Sequence, residues 1–553
     1  MRFSGRLGVG MLAAATAAGL FLTPTAATAR TVDDSTLTPH THFTVLPLNP
    51  DRSVPAPPAN GENIPNIDSV KSTIRAYYNA TGGVASQTSS PYITQLQGIE
   101  QAILTQAPDP APAGTAVVFD VDATLLADYD FEEAVHFNYD ATVSAEWVAD
   151  HRYPAVPGMA DLVSTLAARG YDVYGVTGRP GDQQADTIAN LTEQGFVDGD
   201  GNALFDADNL YTTGSYTPAA KPDYVDCAAD GTDASCSTVE KKAFTRQHIQ
   251  DSSGDTIVLN VGDQYSDLQG GYSLNSVKLP NPTYYLPSPD IAGAPSSDSS
   301  LALPTEFEMA ADGSSGQTTP GDEIPNMDNV KAEIRAYYGA TNGIASKTDS
   351  PYISQMASIA DAWRTKLTKA CTKGVKKKTH PAVVFDADDT TLMTYDMEDG
   401  AMKFNFDPTL QNTWVQEGRF PATPSMPSVV KAAKKAGCKI VGLTGRNNAQ
   451  RVATLDNLAR YYHDSDGNPY FKSAFYFTKW NTSSDNPPAY VDCGLDGNSA
   501  SCSTIDYKAS TRKYIEDSLG LHIVANFGDQ FSDLIGGYSD KVKKLPNPTY
   551  YLP

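Results

Sequence analysis

Two carboxylates one residue apart, at the end of a short apolar run, occur twice in this chain. The first run is Val117-Val118-Phe119-Asp120-Val121-Asp122-Ala123-Thr124, and the second is Val383-Val384-Phe385-Asp386-Ala387-Asp388-Asp389-Thr390. A carboxylate can attack as a nucleophile or trade a proton, and a pair can divide those tasks. Three further polar clusters follow each copy in the same order. They are Thr177-Gly178-Arg179 and Thr444-Gly445-Arg446, then Lys242 with Arg246 and Lys508 with Arg512, then Gly262-Asp263-Gln264 with Asp267 and Gly528-Asp529-Gln530 with Asp533. Singly, each reads as a cap, a turn or a solvated face. Recurring in order in both halves, they point to one site built twice.

Crowded carboxylates raise one another's pKa unless a cation neutralises them. Oxygen-only ligands favour a hard divalent ion, magnesium first, with one expected in each copy.

The elements that must position these residues are legible in outline. Each copy opens with a helical stripe, Ile67, Val70, Ile74 and Tyr77 in the first, and Met327, Val330, Ile334 and Tyr337 in the second. Apolar runs without alternation at Ala116 to Phe119, Val173 to Val176 and Ile257 to Val261 fit strands buried on both faces of a parallel sheet. Between the first two runs a helix is expected from Met159 to Arg169, stopped by Gly170, and its counterpart stops at Gly437. Strand, helix, strand in that order predicts an α/β fold with the site at the carboxyl ends of the strands.

At 553 residues the chain exceeds what one core supports, and two tandem domains are expected. Residues 1–29 read as a signal peptide ending in Ala27-Thr28-Ala29, which predicts a secreted, extracellular protein with no membrane attachment after cleavage. Residues 30–60 read as a flexible N-terminal segment, 61–287 as the first domain, 288–320 as a linker rich in Ser, Pro, Gly and Ala, and 321–553 as the second domain. Both domains close on the same ten residues, Lys278 to Pro287 and Lys544 to Pro553. The net charge of −24 argues against a nucleic acid or an anionic membrane as standing partner.

Six cysteines in an exported chain are read first as disulfides. Cys227 and Cys236 share a frame with Cys493 and Cys502, so each pair is expected to close a short loop. Cys371 and Cys438 occur only in the second half, and their joint absence from the first suggests a third bridge.

The series Asp-x-Asp-x-Thr, strand-end Thr, Lys and Gly-Asp-x-x-x-Asp resembles the haloacid dehalogenase (HAD) superfamily. The finer pattern of Tyr-Lys-x-x-x-Arg, Gly-Asp-Gln-x-x-Asp-Leu and Leu-Pro-Asn-Pro-x-Tyr-Tyr is similar to its acid phosphatase branch (subfamily IIIB), which includes bacterial enzymes and plant vegetative storage proteins. Lys241 departs from that pattern where the second copy has Tyr507. The resemblance implies two HAD-like (Rossmannoid) domains that hydrolyse small phosphomonoesters. It implies Asp120 and Asp386 as nucleophiles forming an aspartyl-phosphate, and Asp122 and Asp388 as acid/base. Thr177, Lys242, Thr444 and Lys508 would bind the phosphoryl group. Magnesium would be held by Asp120, Asp122, Asp263 and Asp267, and by Asp386, Asp388, Asp529 and Asp533, with Asp122 and Asp388 offering a backbone carbonyl. A nucleotidase preference, or a storage protein with little turnover, are the alternatives.

The duplication also excludes a rival. A histidine-nucleophile phosphatase needs its histidine, yet none of His136, His151, His248, His380, His463 or His522 has a histidine at its counterpart. Two readings stay open for Tyr129 through Asp140 and its partner Tyr395 through Asp407: a border to the leaving-group pocket, or a packed lid.

Overall fold

The computed structural model describes residues 45–49, 51–291, 324–481, 485–495, 497 and 501–552. The expected signal peptide and most of the linker lie outside the described residues.

Each half builds one five-stranded sheet. In the first, β1 (Thr115–Phe119), β2 (Asp172–Thr177), β3 (Leu210–Thr212), β4 (Thr256–Gly262) and β5 (Ser276–Lys278) lie in the order β3-β2-β1-β4-β5. In the second, β6 (Pro381–Phe385), β7 (Lys439–Asn447), β8 (Tyr476–Lys479), β9 (His522–Gly528) and β10 (Val542–Lys544) repeat that order as β10-β9-β6-β7-β8. Every pairing is parallel, with Val117 opposite Val173 and Leu259, and Val383 opposite Ile440 and Ala525. The central strands β1 and β6 are buried along their whole length, because helices cover both faces of a parallel sheet. The expected helix spans Met159–Arg169, buries Met159, Leu162, Val163 and Leu166, and ends at Gly170 with φ 101°, a conformation that only glycine adopts cheaply.

The two α/β units are not independent. Ile67 N–H of the first opening helix (Ile67–Tyr77) donates to Pro548 O at 2.9 Å, and Asn66 Nδ2 to Tyr550 O at 2.7 Å. The second opening helix (Met327–Tyr338) returns both contacts, from Met327 N–H to Pro282 O at 2.8 Å and from Asn326 Nδ2 to Tyr284 O at 2.8 Å. The stripe predicted at Ile67, Val70, Ile74 and Tyr77 is fully buried, in an apolar cluster that contains residues of both halves. Burying each such side chain contributes about 1.5–3 kcal/mol.

Three disulfides are formed, Cys227–Cys236, Cys371–Cys438 and Cys493–Cys502. Among the described residues no helix is long and apolar enough to cross a membrane.

Candidate active site

The carboxyl ends of the central strands bring the duplicated clusters together. Asp120 follows β1, and its N–H donates to Val261 O at 2.9 Å, which anchors it to the neighbouring strand. The chain then turns at Ala123 with φ 50°, where the second half turns at Asp389 with φ 44°. Asp263 and Asp267 arrive from the end of β4. Gly262 is required there, because a Cβ at that position would meet Asp267 Cβ at 2.5 Å. Carboxylate oxygens of Asp120, Asp263 and Asp267 lie within 4.8 Å of one another, and Asp386, Asp529 and Asp533 repeat the triad. All six residues are buried.

Lys242, from the helix Thr238–Ser253, ties the triad together. Its Nζ donates to Asp120 Oδ1 at 2.5 Å and Asp267 Oδ1 at 2.6 Å. Lys508 donates to Asp386 Oδ1 at 2.9 Å and likewise to Asp533. Burial opposes the charge on Lys242, but the two carboxylates outweigh it and push the ammonium pKa up. Burial pushes the Asp120 carboxyl well above its usual range; Asp267 adds to the push and Lys242 opposes it. Asp263 is pushed up to about 6, again chiefly by burial, although Asn281 Nδ2 and Gln264 Nε2 donate to its Oδ2 at 2.7 and 2.6 Å.

When all three are ionised, three buried carboxylates against one ammonium leave two negative charges. A divalent cation with oxygen preference matches that surplus in charge and in donor type. The donor set therefore fits magnesium, with Asp120, Asp263 and Asp267, or Asp386, Asp529 and Asp533, as its holders.

The second aspartate of each pair is turned elsewhere. Arg179 grips Asp122 through Nε at 3.0 Å and Nη2 at 2.6 Å to Oδ1, and Thr177 Oγ1 lies 3.4 Å from Asp122 Oδ2. Arg446 holds Asp388 in the same way, at 3.2 and 2.6 Å to Oδ1. Each arginine is itself fixed, to Thr187 and over the Tyr153 ring in the first half, and to Thr454 and over the Phe420 ring in the second. Thr177 and Thr444 also accept from the N–H of their arginine at 3.2 Å. The carboxylates of Asp122 and Asp388 thus stand beside the triads without joining them.

Arg246 and Arg512 have no place in the site. Arg246 donates to the carbonyls of Asp267 at 2.6 Å and Gly271 at 3.0 Å, and so braces the loop that carries Asp267. Arg512 does the same at Asp533 and Gly537.

Each site also holds a buried carboxylate that the sequence reading gave no role, and it comes from a different position in each half. In the second half it is Asp389, pushed up to about 7 by burial and by Asp529. Its N–H partner is Thr394, at 3.0 Å. In the first half Ala123 and Asp128 stand at those two positions, and Asp128 is pushed well above its usual range by burial and by Asp122. Setting Ala123 against Asp389, and Asp128 against Thr394, reveals the exchange.

The segment from Tyr395 to Asp407 borders a pocket in the second half, and the leading tyrosine of the segment is packed in both halves. Phe404, Phe406 and Glu398 border a pocket of about 560 Å³ that reaches Asp386, Asp388 and Lys508, while Tyr129 stacks on Tyr78 and Tyr395 on Tyr338. The same pocket is lined by Asp68, a residue of the other half.

Comparison with known proteins bears on the family of both halves. The family model described as HAD superfamily, subfamily IIIB (Acid phosphatase), matches residues 58–287 and again 323–553. Acid phosphatase 1 of Solanum lycopersicum is 31% identical over 173 residues, which is 31% of this chain and 58% of that protein. Vegetative storage protein 2 of Arabidopsis thaliana is 28% identical over 184 residues, 32% of this chain and 59% of that protein. The chain therefore spans less than two thirds of the length of these relatives. The class C acid phosphatase of Bacillus anthracis superposes with a TM-score of 0.27 at 17% identity, covering 39% of this chain and 86% of that one.

Proposed function

The chain belongs to the acid phosphatases of HAD superfamily subfamily IIIB, and we propose that it is a secreted phosphatase of small phosphomonoesters with a magnesium-dependent site in each half. The observation that carries this reading is the duplicated triad in which one lysine ammonium bridges two of three buried carboxylates. Residues 61–287 and 321–553 are taken as the two catalytic units.

A carboxylate oxygen of Asp120 or Asp386 attacks phosphorus as the bond to the leaving alkoxide breaks, giving an aspartyl-phosphate. Asp122 or Asp388 protonates the leaving oxygen. It then takes a proton from the water that attacks phosphorus, which releases inorganic phosphate and restores the aspartate. The guanidinium of Arg179 or Arg446 fixes where that second carboxylate points. Thr177 or Thr444 donates to a phosphoryl oxygen, and Lys242 or Lys508 offsets the charge that gathers there. The triad would hold a divalent ion, which would further stabilise that charge. A storage role without turnover is disfavoured by the presence of all four aspartates. Export is supported by the three disulfides, which persist in oxidising surroundings.

The test is release of phosphate from a panel of aryl, sugar and nucleotide monophosphates over a range of pH, with magnesium and with a chelator. Release that depends on the metal is expected; release that survives complete metal removal would overturn the proposed site.

A further inference from the structure

The second half carries a cationic face that the first half lacks. On the helix Pro351–Lys377, the residues Lys366, Lys369, Lys373, Lys376 and Lys377 recur three or four positions apart, and all are exposed. The helix Met426–Lys435 adds exposed Lys431, Lys434 and Lys435. From Pro351 to Phe385 there are seven lysines and arginines against one acid, Asp361, and from Met426 to Thr444 four lysines and no acid. The first half reverses the balance. Pro91 to Phe119 holds Glu100 and Asp109 with no lysine or arginine, and Met159 to Thr177 holds Asp161 and Asp172 against Arg169.

A solvated face on a chain of net charge −24 would be expected to intersperse acids. The dipole favours Lys376, Lys377, Lys434 and Lys435 in the last turns of their helices, but Lys366, Lys369 and Lys373 lie further back, three and four apart, where like charges repel. Among the described residues none of these eight lysines forms an ion pair with a carboxylate. The Cys371–Cys438 disulfide joins the two lysine-bearing segments and is found only in this half. It holds the two rows of charge at a set distance from each other. Both segments lead into amino ends of strands, β6 at Pro381 and β7 at Lys439, whereas Asp386 and Thr444 lie towards the carboxyl ends. A five-residue strand separates the two edges by roughly 17 Å, so a ligand on this face leaves the catalytic mouth open.

The make-up of the face narrows the ligand. Lysines lack the planar fork that reads bases and grips carboxylates or phosphates with two prongs, but they bind phosphate as point charges. Trp363 is buried, so the face offers no aromatic platform for nucleobases. Val375 is the one large apolar side chain exposed on these two helices, too little to anchor in a bilayer. What remains is diffuse attraction along a line of charge. We propose that this face docks the protein on a flexible linear polyanion that carries a phosphate in every repeat.

The probe is long-chain inorganic polyphosphate, added to the full chain carrying Asp120→Asn and Asp386→Asn so that the candidate sites do not consume it. Binding is expected near 0.1 M salt and should weaken steeply as salt rises, as counterion release requires. Adding K369E/K373E/K376E should lower affinity at least tenfold, and the same triple change in the otherwise unaltered chain should leave phosphate release as it was. The scattered reversal K472E/K513E/K541E, of equal net charge, should retain most of the affinity. Equal loss from both triples, or no binding by the parent, overturns the proposal. Tighter binding of a DNA duplex or of phosphatidylserine vesicles, at equal phosphate concentration, overturns the choice of ligand.

Discussion

Lys71, on the opening helix of the first half, donates through Nζ to the backbone carbonyl of Phe404 in the second, and Lys331 donates back to Phe137 in the first. Phe137 and Phe404 both sit at positive φ, 55° and 58°, which costs a non-glycine residue roughly 1–2 kcal/mol. The lysines therefore hold two strained turns in the halves opposite to their own, and the turn at Phe404 lines the pocket of the second site. Each faces a buried glutamate as well. Burial, Asp389, Asp388 and Asp68 push Glu398 well up while Lys71 opposes them, and burial and Asp328 push Glu132 up to about 8 against Lys331. A hydrogen bond from a charged group contributes about 1.5–3 kcal/mol. Lys71→Met should therefore impair the site of the half in which it does not lie. In an Asp120→Asn background, where only the second site works, kcat/KM should fall several-fold. In an Asp386→Asn background it should hardly change. Hydrogen exchange at residues 403–406 should rise with the same substitution. A loss confined to the first site would refute the cross-half role.

Asp120→Asn alone should leave the activity of the second site, and Asp386→Asn that of the first. The two together should abolish phosphate release, since neither triad then has a nucleophile. Initial rates of the three variants decide this. Full activity in the double variant would sink the mechanism, and none in one single variant would show that the remaining site is idle.

Arg446→Lys, made in the Asp120→Asn background, should lower kcat on the order of tenfold or more with a smaller change in KM. Lysine cannot reproduce a two-pronged grip, and a misplaced proton donor costs more than a lost contact. Unchanged kcat, with a normal melting curve, would show that Asp388 needs no such clamp.

The outline of this arrangement was legible because its signals are local. Continuous apolar runs announced β1, β2 and β4, and the duplication separated the recurring aspartates, threonines and lysines from background. The edge strands at Leu210–Thr212 and Ser276–Lys278 were not legible, since three residues carry no periodicity. The stripe at Ile67, Val70, Ile74 and Tyr77 showed that the helix is buried, not that its amino end lies against Pro548 of the other half. Lys242 and Arg246 share a helix face by spacing, but only the geometry separates an ammonium that reaches carboxylates from a guanidinium that reaches carbonyls.

Magnesium should raise the melting temperature. Carboxylates crowded in each buried triad destabilise the metal-free protein, whether they repel one another or take up protons, and saturation at 100 times Kd adds about 2.7 kcal/mol. Asp263→Asn with Asp529→Asn should melt higher than the parent in chelator, because a buried like charge is gone, and should respond less to magnesium. Calorimetry with and without metal checks both. An undiminished magnesium response in the double variant would remove these aspartates from the site.

Glu100 sets a pH dependence that the second half lacks, because Ala360 stands at its counterpart. Burial and the charge of Asp161 push its carboxyl up to about 7, and its Oε1 is buried with no hydrogen-bond partner among the described residues. An exposed glutamate titrates near 4.3. Below that pH both folded and unfolded chains hold the proton, and Glu100 costs nothing. Between there and about 7 the folded chain keeps a proton that the unfolded chain has released, so stability falls as pH rises. Above about 7 the folded carboxyl is ionised too, and the full cost of its burial remains. That cost is about 1–2 kcal/mol, reduced from the full linkage value because the group keeps some contact with water. Glu100→Gln should therefore raise the melting temperature at pH 8 and leave it unchanged at pH 4. An equal shift at both would mean that packing rather than charge is responsible, and no shift at either would mean that the carboxylate is hydrated where it lies.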